Sequence, residues 1–148
     1  MTYFQQRNQN YSEQFLGNSE LKIKVAGCTT CAIYTLNSLF GGFERPHRNN
    51  YDLRYSNANI LWTSVNLSKI KFEWRQYTFD RNRIRLDLLN PWKGVLININ
   101  MPSVPGGKHW LVVLSLGWGG YNCYDPWTDQ KTFIAVSRVV GSAHFSKK

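Results

Sequence analysis

With 148 residues, 43% of them hydrophobic and 15% aromatic, the chain has the composition of a packed globular domain rather than a disordered segment, and its length suits one domain over 1–148. Three cysteines argue for a reduced protein without a disulfide framework, no run approaches the ~20 apolar residues of a membrane span, and MTYFQQRNQN lacks the apolar core of a secretory signal. Eighteen Lys and Arg against nine Asp and Glu give a net charge of +9, but spread along the chain, which speaks for solubility and general affinity for polyanions rather than for a specific nucleic-acid partner.

Residues 1–24 read as an irregular arm with few apolar anchors. Residues 27–40 are the clearest helix: Cys28, Cys31, Ile33, Leu36 and Phe40 recur mostly at steps of three and four, and Gly41–Gly42 stops it. Only a short polar strip interrupts its apolar surface, so it should be central. Residues 57–66 (NANILWTSVN) read as a second, shorter helix. Over 69–79, Ile70, Phe72 and Trp74 alternate with Lys71, Glu73 and Arg75, the pattern of a strand. Residues 80–90 favour helix, with Asp80 as N-cap, Ile84 and Leu88 one turn apart, and Asn90–Pro91 as the stop.

The last third reads as antiparallel sheet: strands at 93–100, 109–116, 121–125 and 131–136 are separated by PSVPGGK, GWGG and PWTDQ. The 109–116 strand is apolar on both faces and should be interior. Helix first and strands last make the chain α+β, a central helix packed on an antiparallel sheet.

Three residues in this frame carry the chemistry of nucleophilic catalysis. Cys28 opens the central helix, where free N–H groups and the helix dipole favour a thiolate. His109 opens one strand and Asp125 closes the next; an imidazole could take the thiol's proton while the carboxylate fixes its tautomer and orientation. Register decides whether they meet. A GWGG hairpin centred between Trp118 and Gly119 would pair Asp125 with Val112 and turn His109 to the opposite face. One centred on Trp118 pairs Asp125 with Leu111, on the face of His109. The triad therefore requires an odd-length loop or a bulge, and glycines make either accessible.

Each residue also has a structural reading: a packed cysteine, a strand-opening histidine, an Asp-Pro turn. Cys28-x-x-Cys31 further admits a redox pair, and Cys28, Cys31, Cys123 and a histidine a zinc site, although the surrounding strand pattern and ligand spacing suit neither. Cys31 reads as core, and Cys123 shares the face of Asp125. The basic and aromatic residues Lys69, Lys71, Trp74, Arg75, Tyr77, Arg81, Arg83 and Arg85 read either as a solvated face or as the lining of a groove for an anionic substrate.

The segments QRNQNYSEQFLGNS, GCTTCAIYTLNSLFG, KHWLVVLSLG and YDPW, in this order, resemble the papain-like cysteine peptidases related to the bacteriocin-processing (double-glycine leader) peptidases, in the stand-alone form carried by bacteria and their phages. The likeness covers both ends and about half of the chain, and residues 43–92 match little. It implies a papain-like fold, with Cys28 as nucleophile, His109 as general base and acid, and Asp125 as the orienting acid. Gln6 would supply the oxyanion donor beside the Cys28 N–H, with Gln5 as the alternative if the arm shifts by one residue. It implies no cofactor and no metal. The expected substrate is a peptide, a protein or a cell-wall peptide. The chain is expected to be cytoplasmic as synthesised and to reach a virion or cell wall only by another route; no oligomeric state is implied. Thr29 stands where the processing peptidases often have glycine, and Thr30 and Cys31 where proline and alanine or serine are expected, which bears on specificity and on a transporter-linked role. The alternative is a catalytically silent papain-like module that binds or builds, for instance in a phage particle.

Overall fold

The computed structural model describes residues 1–148. In chain order the helices are α1 (Ile23–Ala26), α2 (Cys28–Leu39), α3 (Asn49–Asp52) and α4 (Arg81–Leu88). The strands are β1 (Tyr55–Ser56), β2 (Asn59–Ile60), β3 (Ile70–Gln76), β4 (Lys93–Asn100), β5 (Lys108–Gly117), β6 (Gly120–Asp125), β7 (Gln130–Ala135) and β8 (Val139–Lys147). Six strands form one antiparallel sheet in the order β3-β8-β4-β5-β6-β7, and β1 and β2 form a separate hairpin. The architecture is α+β. No helix is long and apolar enough to cross a membrane.

The sheet is buried on both faces. Against one, α2 packs over Leu96, Trp110, Val112, Tyr124, Ala143 and Phe145. Against the other, Ile84 of α4 packs with Val95, Ile97, Leu111, Val113 and Cys123. Strand β4 supplies both clusters, which is why its apolar run is nearly continuous. Strand β5 lies between β4 and β6, the interior place its sequence called for.

Helix α2 is buried along almost its whole length, and its polar strip faces protein rather than water. Thr35 Oγ1 accepts the Phe4 N–H at 2.9 Å, and Ser38 Oγ accepts the Thr2 N–H at 2.6 Å. Asn37 accepts from the Lys69 N–H at 3.0 Å and donates to Glu44 at 2.8 Å. Buried polar groups are tolerated when paired in this way. The N-terminal arm is thereby docked on the helix, and it has more apolar anchors than its sequence suggests: Phe4, Tyr11, Leu16 and Ile23 are buried in the core.

One expectation is corrected. Residues 57–66 are not a helix. Asn57 takes φ +54, the left-handed conformation asparagine tolerates, and the chain reverses there as the β1–β2 hairpin before a short 3-10 turn at Trp62–Ser64. The last residues form β8, a strand the apolar pattern does not announce, inserted between β3 and β4. The 80–90 segment is the helix α4, with Asp80 Oδ1 accepting the Arg83 N–H at 3.0 Å as its cap.

Candidate functional site

Cys28 is the first residue of α2, and its place depends on Gly27. The backbone of Gly27 lies so close to α1 that an added Cβ would stand 2.6 Å from Ile23 O and 2.8 Å from Ile23 Cα. Only glycine lets α1 and α2 meet at this angle. Gly27→Ala is expected to lower stability by about 1–3 kcal/mol, read from the urea midpoint, and to displace the first turn of α2 enough to slow alkylation of Cys28. Wild-type values for both would show that the close approach is not needed. The first-turn amides of α2 have no side-chain cap and lack partners within the helix. Cys28 is 7% exposed, its thiol has Thr29 Oγ1 at 4.0 Å, and the residue lines a groove.

His109 and Asp125 meet. His109 Nε2 donates to Asp125 Oδ1 at 2.6 Å, and the same oxygen accepts the Trp127 N–H at 2.8 Å. The turn by itself would have prevented this. It is a two-residue turn at Trp118–Gly119, with Gly117 paired to Gly120, the even register that puts His109 and Asp125 on opposite faces. A bulge corrects it: pairing shifts between Val113 and Ser115, so Leu114 is the extra residue and Val112 pairs with Tyr124. Continued by one residue, this register sets Asp125 opposite Leu111, on the face of His109.

The imidazole is 1% exposed. Its second nitrogen, Nδ1, is buried without a hydrogen-bond partner, while the Cys28 thiol is one of the groups acting on the ring. Burial opposes charging of His109, but the hydrogen bond it donates to Asp125 and the interaction with Cys28 outweigh it, and the pKa is pushed up to about 9. Burial likewise opposes ionisation of Asp125. There the hydrogen bond with His109 and those from the Trp127 and Thr128 amides prevail, and the carboxyl is held below its usual range. The pair is built to carry charge, Asp125 negative and His109 positive.

Gln6 points inward at 1% exposure, whereas Gln5 is only half-buried and its carbonyl accepts from the Tyr11 hydroxyl at 2.8 Å. Of the two, Gln6 is therefore the one inside the protein. Its backbone N–H donates to Pro126 O at 2.9 Å, next to Asp125, and its side-chain N–H donates to Ile23 O at 3.2 Å. That carbonyl also accepts from Gly27 N. Gln6 makes no hydrogen bond to Cys28; one side-chain N–H remains uncommitted, and Oε1 is buried without a partner.

The other cysteines are set apart. Cys31 and Cys123 are fully buried, and all three cysteines are free. Burial first, then Cys28, raises the Cys31 thiol, and burial with Asp125 pushes Cys123 up to about 12. No cluster of His, Cys, Asp or Glu has the arrangement to hold a metal ion.

A second His–Asp pair went unread in the sequence. His144 Nδ1 donates to Asp87 Oδ2 at 2.7 Å, and Ser142 Oγ donates to His144 Nε2 at 2.7 Å. The trio has the residue types of a serine hydrolase, but Ser142 and His144 have no exposed surface, so no substrate reaches them. Here burial prevails over Asp87 and holds His144 below its ordinary pKa. The neutral ring ties α4 to β8. A second hollow, of about 430 Å³ around Arg81, Arg85 and Trp118, contains none of the residues described above as nucleophile or base. No family model matches the chain, and neither a curated protein nor a solved structure is found to match it.

Proposed function

We propose that the protein is a cysteine hydrolase of papain-like type that cleaves a peptide or amide bond through Cys28, His109 and Asp125. The observation that carries this reading is the His109 ring. One nitrogen is bound to a carboxylate at 2.6 Å, the other is buried without a hydrogen-bond partner, and Cys28 is among the groups that raise the ring's pKa. A merely packed histidine would have both nitrogens satisfied, as His144 has.

In this mechanism His109 Nδ1 takes the proton of Cys28, and Asp125 stabilises the imidazolium that forms. The thiolate attacks the carbonyl carbon. The resulting oxyanion is met by the Cys28 N–H and by the uncommitted N–H of Gln6, which reorients by rotating about its side chain. Imidazolium protonates the leaving amine, and a thioester remains on Cys28. Water, deprotonated by His109, then releases the acid and restores the thiol. The substrate class is a peptide, a protein or the peptide part of a cell wall, and a phage-borne role in wall cleavage fits the resemblance on which this reading also draws.

A catalytically silent module is favoured by one observation, the low exposure of Cys28. Iodoacetamide separates the two readings. A hydrolase alkylates at Cys28 faster than a free model thiol at pH 7, and His109→Ala removes the advantage. Labelling no faster than the model thiol and indifferent to His109 would leave the silent module standing.

A further inference from the structure

The groove at Cys28 holds a positive charge that the mechanism does not use. It encloses about 660 Å³, and its only charged lining residues are Arg75 and Lys108; no Asp or Glu faces it. Arg75 reaches it through a bulge. The pairing of β3 with β8 shifts between Phe72 and Trp74, so Arg75 pairs with Ala143 and shares the face of Phe72 instead of that of Lys71.

The guanidinium is fixed in place. It lies 4.6 Å over the Trp110 ring and 4.3 Å over the Tyr77 ring. Its Nη1 donates to Ser142 O at 3.0 Å and to Gln76 O, and no carboxylate pairs with it. Nη2 and Nε keep their donors, the fork that matches a carboxylate. Beside it stands Asn98, 3% exposed, lining the same groove with its side-chain oxygen unpartnered. Gly141 makes room for both: a Cβ there would lie 2.8 Å from Asn98 Oδ1 and 3.0 Å from Arg75 Nη1.

A partly desolvated cation without a counter-charge, next to an unfilled acceptor, is costly unless a ligand completes it. We infer that the groove is a carboxylate subsite, in which Arg75 holds a carboxylate of the peptide that Cys28 attacks and Asn98 accepts one of its N–H groups. The inference rests on the hydrolase reading and adds the substrate class: acidic peptides. The carboxylate comes either from a Glu or Asp side chain or from a free chain end.

Electrophilic peptides read this directly. Peptidyl vinyl sulfones carrying Glu or Gln at each of the three positions before the electrophile test the side-chain source. Epoxysuccinyl peptides ending in a free acid or an amide test the chain end. The readout is the rate of Cys28 alkylation, as an acid-to-amide ratio within one protein preparation. Wild type is expected to prefer the acid in one series by about 30-fold. Arg75→Gln brings the ratio near one, Arg75→Lys restores part of it, and iodoacetamide labels all three equally. Equal rates for acid and amide in wild type, or a ratio that survives Arg75→Gln, overturn the subsite while leaving the hydrolase intact. Failure of iodoacetamide to label wild-type Cys28 above a model thiol overturns the hydrolase reading, and the subsite with it.

Discussion

Cys28→Ser is expected to lose turnover by at least about 10³-fold while keeping the fold. The exchange replaces one sulfur by one oxygen at the edge of the core, so little packing is lost. What changes is the nucleophile. A thiol gives up its proton to an imidazole readily, whereas a serine hydroxyl stays protonated until the transition state and needs a base aligned for that step. His109 is built differently: Asp125 and Cys28 together push it up to about 9, against burial, which suits a ring that holds a proton once it has taken it. Hydrolysis of bacterial walls, followed as turbidity loss, and cleavage of a peptide library together identify a substrate. The variant is then compared on that substrate, with urea unfolding as the control. Full turnover by Cys28→Ser would remove the thiol from the mechanism. Lost turnover with an unchanged urea midpoint is the expected result.

The residues of the proposed site could be singled out in the sequence, but the geometry joining His109 to Asp125 could not. Helix α2 was legible because its apolar spacing is regular and glycines bound it. Strand β4 was legible because both its faces are buried, and the Asp80 cap marked α4. Strand β8 was missed because its buried positions include Gly141, Ser142, His144 and Ser146, none of them an apolar side chain; the burial of Ser142 and His144 rests on their hydrogen bond and that of Gly141 on close packing. The same limit applies to register. GWGG permitted an odd loop or a bulge, but nothing in the residues placed the extra one at Leu114, in mid-strand. The bulge between Phe72 and Trp74 is the more consequential case. Simple alternation sets Arg75 among the solvated charges with Lys71 and Glu73, and the bulge turns it into the groove. Of the basic and aromatic segment, only Arg75 and Tyr77 line that groove. Arg83 is spent on Asp87, and Trp74 is half-exposed on the other face. Chemistry-bearing residue types can be read from a chain, but the one-residue slips that aim them belong to tertiary structure.

Asp125 separates orientation from charge. Asp125→Ala removes both the acceptor for His109 Nε2 and that for the Trp127 amide, and turnover is expected to fall by about 10²- to 10⁴-fold. Asp125→Asn keeps an acceptor oxygen and loses only the charge, so the fall should be smaller. The pH dependence of stability distinguishes them further. The folded-state pKa of His109, about 9, lies above the ordinary 6.5. The proton it binds therefore stabilises the fold fully below pH 6.5, and that contribution is lost as pH rises toward 9. Its size is at most on the order of 3 kcal/mol, part of which belongs to Cys28. Asp125 has the opposite sign: its carboxyl is held below the usual range, so its contribution is present at neutral pH and is lost as pH falls through the acid range. In Asp125→Asn the burial of His109 is no longer offset by a carboxylate. Its pKa should drop, and the decline of wild-type stability between pH 6.5 and 9 should flatten. Urea unfolding at pH 6, 7.5 and 9 measures that slope. A slope unchanged in Asp125→Asn would mean that the carboxylate does not hold the proton on His109, and Asp125 would then be a turn residue after all.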